Sequence, residues 1–388
     1  MNSKLLNRAR TVNRKLRYHL KGFDWMADDL CKKGLNKSRK QTKESTKPTD
    51  YPVDFVVTWV DESDTEWLIE KNNYFSRLQS GNKSSNTNCR YRDWGWFRYW
   101  FRAVEKYAPW FRYVWLVTYG HTPEWLDLDN PKLRVIRHDE FIPAEYLPTF
   151  SSRCIELNLW RIKELSEHFV YFNDDMYLFG ENLKDDFFTG NLPNYCAIAE
   201  PLHAIDRMTS YEHSILNTLG LYNSQFNLRE VMEEAPEKWF SVFYGNDAMI
   251  NRTAYEFGFL SGIHFSHLPY PMRKSSMEAC HHIFEQQFHN TCLGHFRKME
   301  DINHQVYLLW ELCHNTFEPV SIDHSGVFFN IRKDNLDRIR KVFESHSHTA
   351  AICLNDNELI PEEHFEELRD ALTKLMESRF PDKSSYEK

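Results

Sequence analysis

Short apolar runs separated by polar loops set the pattern of this chain. Val53-Asp54-Phe55-Val56-Val57-Thr58-Trp59-Val60, Tyr113-Val114-Trp115-Leu116-Val117-Thr118, Leu133-Arg134-Val135-Ile136 and Phe169-Val170-Tyr171-Phe172 are rich in β-branched and aromatic residues, and each predicts a strand, buried for the 113–118 and 169–172 runs. Between them, apolar positions recur at helical spacing over Tyr91–Ala108, which Pro109 should end, and around Ile155–Leu165. That alternation predicts an α/β fold built on a predominantly parallel sheet. Another helix is predicted from Glu66, with Asp64 or Thr65 as its cap, and others over 246–260, 276–289, Glu300–Leu312 and 361–379. Gly326-Val327-Phe328-Phe329-Asn330 reads as a late strand, Asp185-Asp186-Phe187-Phe188 as an exposed turn or lid, and His203-Ala204-Ile205-Asp206 as a ligand loop.

The reactive side chains collect at the ends of these runs. Asn173-Asp174-Asp175 follows the Phe169–Phe172 strand directly, and open α/β sheets bind ligands at the carboxyl ends of their strands. Adjacent carboxylates repel unless a positive group offsets them, so the pair is explained either by a divalent metal beside a phosphate-bearing substrate or by a surface acidic turn. Asp61 and Asp64, Arg92 and Asp93, His267, Arg297, and Asp323 and His324 complete the set. If these groups converge, carboxylates can hold Mg²⁺ or Mn²⁺, Arg can support phosphate oxygens and His can move a proton, a division of labour that suits phosphoryl transfer. Each also has a plainer reading: the first-loop acids as a helix cap, and Arg297 as an ion pair with Glu300 or Asp301. Neither His264/His267, His281/His282 nor His289 forms a zinc motif.

Composition narrows the class. With 388 residues, 41% hydrophobic and 15% aromatic, the chain can bury a substantial core, and its net charge of −8 gives no reason to expect nucleic-acid binding. The charge is uneven, because residues 1–50 hold 14 Lys/Arg against 5 Asp/Glu. Residues 1–30 predict a basic amphipathic helix, suited to peripheral contact with an anionic membrane or to packing on the domain or a partner, and 32–50 predict a flexible linker. Eight scattered cysteines without a close pair indicate isolated thiols and a reducing compartment. No apolar stretch is long enough to span a bilayer, which favours a cytoplasmic enzyme, peripheral at most on the inner membrane face.

Longer stretches resemble the Stealth family of sugar-phosphate transferases, which includes bacterial capsular and exopolysaccharide phosphotransferases and shares its conserved regions with the catalytic subunit of the animal lysosomal N-acetylglucosamine-1-phosphotransferase. The resemblance runs through DFVVTWVDESDTEW at 54–67, YRDWGWFRYWFRAVEKYAPWFRYVWLVTYGHTPEWL, NPKLRVIRHDEFIPAEYLPTFSSRCIE and FVYFNDDMYLFG, then HFSHLPYPMRK, GHFRKMEDINHQ and VSIDHSGVFFNIR. Together these span most of residues 54–332.

The resemblance implies a Rossmann-like nucleotide-sugar-binding core with helical insertions. It implies transfer of an intact hexose 1-phosphate from a UDP-sugar such as UDP-N-acetylglucosamine to a hydroxyl of a glycan or lipid-linked glycan, releasing UMP. Carried over by position, Asp174 and Asp175 are the metal candidates, His267 the proton-transfer group and Arg297 the phosphate stabiliser. Asp61 joins Asp175 among the catalytic candidates, while Asp64, Arg92, Asp93, Asn173, Asp323 and His324 are substrate-binding candidates; Trp94 stands where the family often has an acid. The organisation expected is a basic helix and linker over 1–50, a catalytic domain over 51–335 and a C-terminal helical extension over 336–388. Two alternatives remain: a metal-dependent glycosyltransferase, which would release UDP, and a carbohydrate-binding assembly protein without turnover.

Overall fold

The computed structural model describes residues 27–40, 50–77, 88–200, 209–257, 262–324, 326–345, 349–357 and 360–388. Most of the basic segment and the His203–Asp206 loop therefore lie outside the described residues. The central sheet runs β3 (Leu133–Arg137), β2 (Val114–Thr118), β1 (Val53–Thr58), β4 (His168–Asn173) and an edge strand Tyr270–Arg273. The first four are parallel, and the edge strand is antiparallel to β4. Phe55, Val56 and Val57 of β1 are fully buried, as β1 lies between two neighbours, and burying such side chains is worth up to about 1.5–3 kcal/mol each.

Beyond β4, chain order gives β5 (Met176–Leu178), β6 (Phe188–Thr189), β7 (Leu192–Tyr195), β8 (the Tyr270–Arg273 edge strand), β9 (Glu318–Pro319), β10 (Val327–Asn330) and β11 (Ala351–Asn355). Apart from β8 they form two small sheets, β10-β11-β5 and β6-β7-β9, each mixing parallel and antiparallel pairs. The fold is thus α/β with mixed sheets, and the expected parallel dominance holds only for the first four strands. The run at 351–355 brings the C-terminal stretch into a sheet beside the end of β4, so residues 336–388 are more than a helical extension.

Helices cover the strands where the 3.6-residue spacing placed them, with several revisions. Residues 27–40 form a helix, α1, so the flexible linker predicted from 32 does not hold over 32–40, and the rest of its range up to 49 lies outside the described residues. Its Lys and Ser content concealed a seated face: Ala27 and Cys31 are buried, Lys37 Nζ reaches Glu237 at 2.7 Å and Ser38 Oγ lies 3.2 Å from Ser241 Oγ. The helix α2 (Thr65–Ser76) starts where expected, whereas α3 (Phe97–Tyr107) starts six residues into its predicted range. Gly95, at φ 78°, takes the left-handed turn that an L side chain rarely adopts and holds Arg92 and Asp93 in a loop. Finally, α4 (Ser152–Asn158) is a short helix followed by a 3₁₀ turn, and the 276–289 prediction resolves into two helices broken at Phe284.

Candidate active site

The carboxyl ends of β1, β2 and β4 lie along one edge of the central sheet, and the loops leaving them carry the reactive groups. Asp54 sits at the opposite end of β1 and is structural. It is fully buried, takes Arg112 through two nitrogens at 2.8 and 2.6 Å, and accepts the Trp115 indole N–H at 3.0 Å.

After β1 the chain turns through Asp61 and Asp64. Asp61 Oδ1 accepts the Ser63 N–H and hydroxyl at 2.8 and 2.6 Å, while Asp64 Oδ1 caps α2 by accepting the N–H groups of Glu66 and Trp67. His121, from the loop after β2, stitches the turn together: its Nε2 accepts the Asp61 N–H at 2.9 Å and its Nδ1 donates to Asp64 Oδ2 at 3.1 Å. The Trp67 N–H bond, followed by that of His121, holds the Asp64 carboxyl below its ordinary value. Asp64 therefore has both oxygens engaged in shaping the loop. Asp93 accepts the Gly95 N–H at 2.6 Å; burial, and less strongly the charge of Asp61, push its carboxyl up.

Asp174 and Asp175 occupy the turn between β4 and β5. Both keep some solvent access but are recessed among protein atoms. Burial, then Asp175, then Asp93 push Asp174 well above the usual carboxylate range. Burial likewise raises Asp175, against the opposing charge of His267. Asp61, Asp93, Asp174 and Asp175 thus form a chain in which each acid feels the next. The enclosed Asp175 Oδ1 makes no hydrogen bond within the protein. An unsatisfied buried acceptor costs about 1–3 kcal/mol, and more when charged, so this oxygen is suited to a cation.

Sheet register brings His267 to the same place. In the antiparallel β4–β8 pair Tyr171 faces Tyr270, so the residues just before β8 lie beside the end of β4. His267 has its Nε2 3.3 Å from Asn173 Nδ2 and its Nδ1 3.0 Å from Tyr270 Oη. From the other side, β11 pairs with β5 so that Cys353 faces Met176. One ligand atom each from Asp175, His267 and Cys353 then lies within 4.8 Å of the others. Burial, then the charge of Asp175, hold the Cys353 thiol well above its usual range. The three side chains offer a divalent cation a carboxylate oxygen, an imidazole nitrogen and a sulfur.

Arg297 completes the cluster. Its Nη2 donates to Ser152 Oγ at 2.7 Å, and its charge acts on His267, Glu156 and Arg153. Three ties clamp its loop to α4: Arg297 to Ser152, Arg153 to Asp301 at 3.0 Å, and His304 Nδ1 to Glu156 Oε2 at 2.8 Å. Asp301 is thus paired with Arg153 rather than Arg297. Burial pushes Glu156 upward, but His304, Arg297 and Ser152 together outweigh it and hold the carboxylate down to about 2.

Asn173, Asp174, Asp175 and His267 are therefore neighbours, with Asp93 and Asp61 at their margin and the Arg297 charge felt at His267. Arg92 is bound through two nitrogens to Asp356 at 2.8 and 2.7 Å and stacked 4.1 Å from the Phe365 ring, and the Asp356 charge acts in turn on Asp175. Asp323 and His324 fall on another flank. His324 Nε2 donates to the Asp186 carbonyl at 2.8 Å, and the Asp323 charge is one of those acting on Cys196. Asp186 belongs to a short helix, Lys184–Phe187, rather than a lid. Sequence reasoning missed His121, Glu156, His304, Cys353 and Asp356. The available signal was the i,i+4 pair Ser152/Glu156 on one helix face, opposite an Arg and a His in the 297–304 loop.

A family model for Stealth protein conserved region 2 matches residues 90–195. The capsular polysaccharide phosphotransferase WcwK of Streptococcus pneumoniae is 37% identical over 333 residues, covering 86% of this chain and 97% of that protein. The receptor polysaccharide phosphotransferase WefC of Streptococcus gordonii is 34% identical over 334 residues, 86% of this chain and 98% of its own. The exopolysaccharide phosphotransferase cps2G of Lactiplantibacillus plantarum is 34% identical over 336 residues, 86% and 95% respectively. Among solved structures the galactosyltransferase LgtC aligns with a TM-score of 0.35 and 12% identity, over 82% of this chain and 95% of that one, a slight likeness.

Proposed function

The chain belongs to the Stealth family, among its bacterial capsular and exopolysaccharide phosphotransferases, and on that premise we propose that it moves a hexose 1-phosphate from a UDP-sugar, UDP-N-acetylglucosamine being the leading donor, to a glycan hydroxyl. Its activity is that of a sugar-phosphate transferase in polysaccharide biosynthesis. The acceptor oxygen attacks the phosphorus nearer the sugar, the bond from that phosphorus to the bridging oxygen breaks, and UMP leaves with the bond's electrons. The product is a phosphodiester between two sugars, and the acceptor's proton passes to an imidazole.

In this reading His267 takes that proton. Burial holds its imidazole below its ordinary value, so it stands neutral and able to accept, and the Tyr270 and Asn173 contacts fix the ring. Arg297 supplies positive charge to the phosphoryl oxygens, its direction set by Ser152. Asp174 and Asp175, with Asp93 and Asp61 behind them, would hold Mg²⁺ or Mn²⁺, which when bound offsets phosphate charge. Asn173 orients His267, and Asp64 shapes the donor-side loop through its cap. The central sheet would seat the nucleotide in the Rossmann-like manner, across the carboxyl ends of β1 and β4.

The observation that supports this most is the enclosed, unpaired Asp175 Oδ1 beside His267, since a carboxylate so placed suits a cation-binding site better than a surface turn. The test is to identify the nucleotide released from UDP-N-acetylglucosamine in the presence of acceptor. UMP supports the reading, UDP indicates glycosyl transfer, and neither indicates a binding protein. We place the reaction in the cytoplasm against the inner membrane face, where a lipid-linked glycan would be met. No helix of the described residues is long and apolar enough to cross a membrane, and the contact proposed for residues 1–30 falls mostly outside them.

A further inference from the structure

On β10 the side chains alternate. Phe329 is 4% exposed and belongs to the core, whereas Phe328 is 42% exposed. Phe328 therefore has little part in holding the strand down. The pairing of β10 with β11 is parallel and sets Phe328 opposite Cys353, and side chains of paired residues project to the same face of a sheet. Cys353 faces Asp175 and His267, so Phe328 must border that same recess. The rings bear this out: the Phe328 and His267 centroids are 5.7 Å apart with planes at 83°. At Gly326, φ 125°, a Cβ would meet the Ala351 carbonyl oxygen at 2.0 Å, so the strand is pinned close to β11 just before the phenyl ring.

A single exposed aromatic residue is ordinary on a protein surface. Its place is what gives this one meaning, because it is a large apolar ring at the edge of a recess of acids and an imidazole. A pyranose has a polar rim of hydroxyls and an apolar face of C–H groups, and a flat aromatic side chain can pack against that face while the rim meets polar partners. If His267 takes the proton of the attacking hydroxyl, that hydroxyl must come within about 2.6–3.2 Å of the imidazole. The sugar carrying it then extends over a separation comparable to its own width and reaches the phenyl ring. The uracil lies on the opposite side of the reacting phosphorus, because attacking and leaving oxygens are roughly in line.

Resting on the reaction proposed above, we propose that Phe328 is the platform for the acceptor sugar, packing against the C–H face of the pyranose whose hydroxyl meets His267. It selects for an acceptor able to present a flat C–H face at that distance from its reactive hydroxyl.

The test uses the full chain and three probes, the methyl β-glycosides of glucose, galactose and N-acetylglucosamine. Saturation-transfer NMR reports which ring protons touch the protein, and titration gives the affinity. Wild type and Phe328→Trp should transfer saturation to the ring C–H protons of at least one glycoside, and Phe328→Ala should weaken that binding about tenfold. Failure of all three glycosides to bind wild type, or equal binding by Phe328→Ala, overturns the platform. A parallel incubation with UDP-N-acetylglucosamine and Mg²⁺ separates the two ideas. Release of UMP without a glycoside signal removes the platform and leaves the reaction, whereas a Phe328-dependent signal without UMP removes the reaction and leaves a sugar subsite.

Discussion

Asp175 and His267 reach each other from opposite sides of one strand pair: the acid follows β4, the imidazole precedes β8, and a carboxylate oxygen of one lies within 4.8 Å of a ring nitrogen of the other. The two meet because an antiparallel edge strand starts beside the point where its neighbour ends. The same turn places Asp174 next to Asp175, so an acid pair adjoins the imidazole, on which the Arg297 charge also acts.

Removing metal should stop turnover, and Mg²⁺ or Mn²⁺ should restore it. Asp174→Asn and Asp175→Asn should each cost more than the roughly 10–100-fold that follows loss of a supporting hydrogen bond around a metal. Steady-state rates after chelation and add-back check this; full activity in chelator would contradict it.

The same acids should limit stability. Burial raises the folded pKa of both Asp174 and Asp175 above their unfolded values, and repulsion from Asp175 and Asp93 raises Asp174 further, so their contribution is fully present below the unfolded carboxylate pKa of 3.8 and is lost as pH rises through the raised folded values. Metal-free Asp174→Asn should therefore melt higher than metal-free wild type at neutral pH, with the gap closing in acid. Thermal melts across pH measure it, and a lower melting temperature for the variant would contradict the electrostatic reading.

His267→Gln should lower kcat by about 10²–10⁴, the range for losing a general acid–base group. Arg297→Lys should also lose rate, because an ammonium cannot repeat the guanidinium's simultaneous hold on Ser152 and phosphate. Ser152→Ala should cost much less than Arg297→Lys. Kinetics of the three variants decide the order, and equal losses would mean that Arg297 serves only as a strut.

Glu156 is buried and paired with His304, and its folded pKa of about 2 lies below the unfolded value of 4.5. Its stabilising contribution is present above pH 4.5 and is lost as pH falls toward 2. Breaking such a buried pair from one side costs about 3–5 kcal/mol, so Glu156→Gln should unfold at markedly lower denaturant and show a flatter acid limb. Denaturation midpoints in acid and at neutral pH test both points.

Much of this was legible in the sequence, and the illegible parts share a cause. β1, β2 and β4 announce themselves because buried strands are largely apolar runs, β3 shows as a shorter edge run with Val135 exposed, and Asn173-Asp174-Asp175 stands out because two acids end such a run. Cys353, Glu156 and His304 were invisible because their importance lies in pairing across the fold. No local pattern tells that β11 returns beside β5, or that Ser152 and Glu156 grip the 297–304 loop. The partner of Arg92 was hidden for the same reason: its carboxylate, Asp356, is 264 residues away.

The central claim is that the bond broken lies at phosphorus. A UDP-sugar carrying radioactive phosphorus in the phosphate next to the sugar, incubated with enzyme, Mg²⁺ and acceptor, tests it most directly. The expected result is label in the glycan, resistant to phosphatase until the linkage is hydrolysed, together with unlabelled UMP in equal amount. Label recovered in UDP, with an unlabelled glycan, would contradict it.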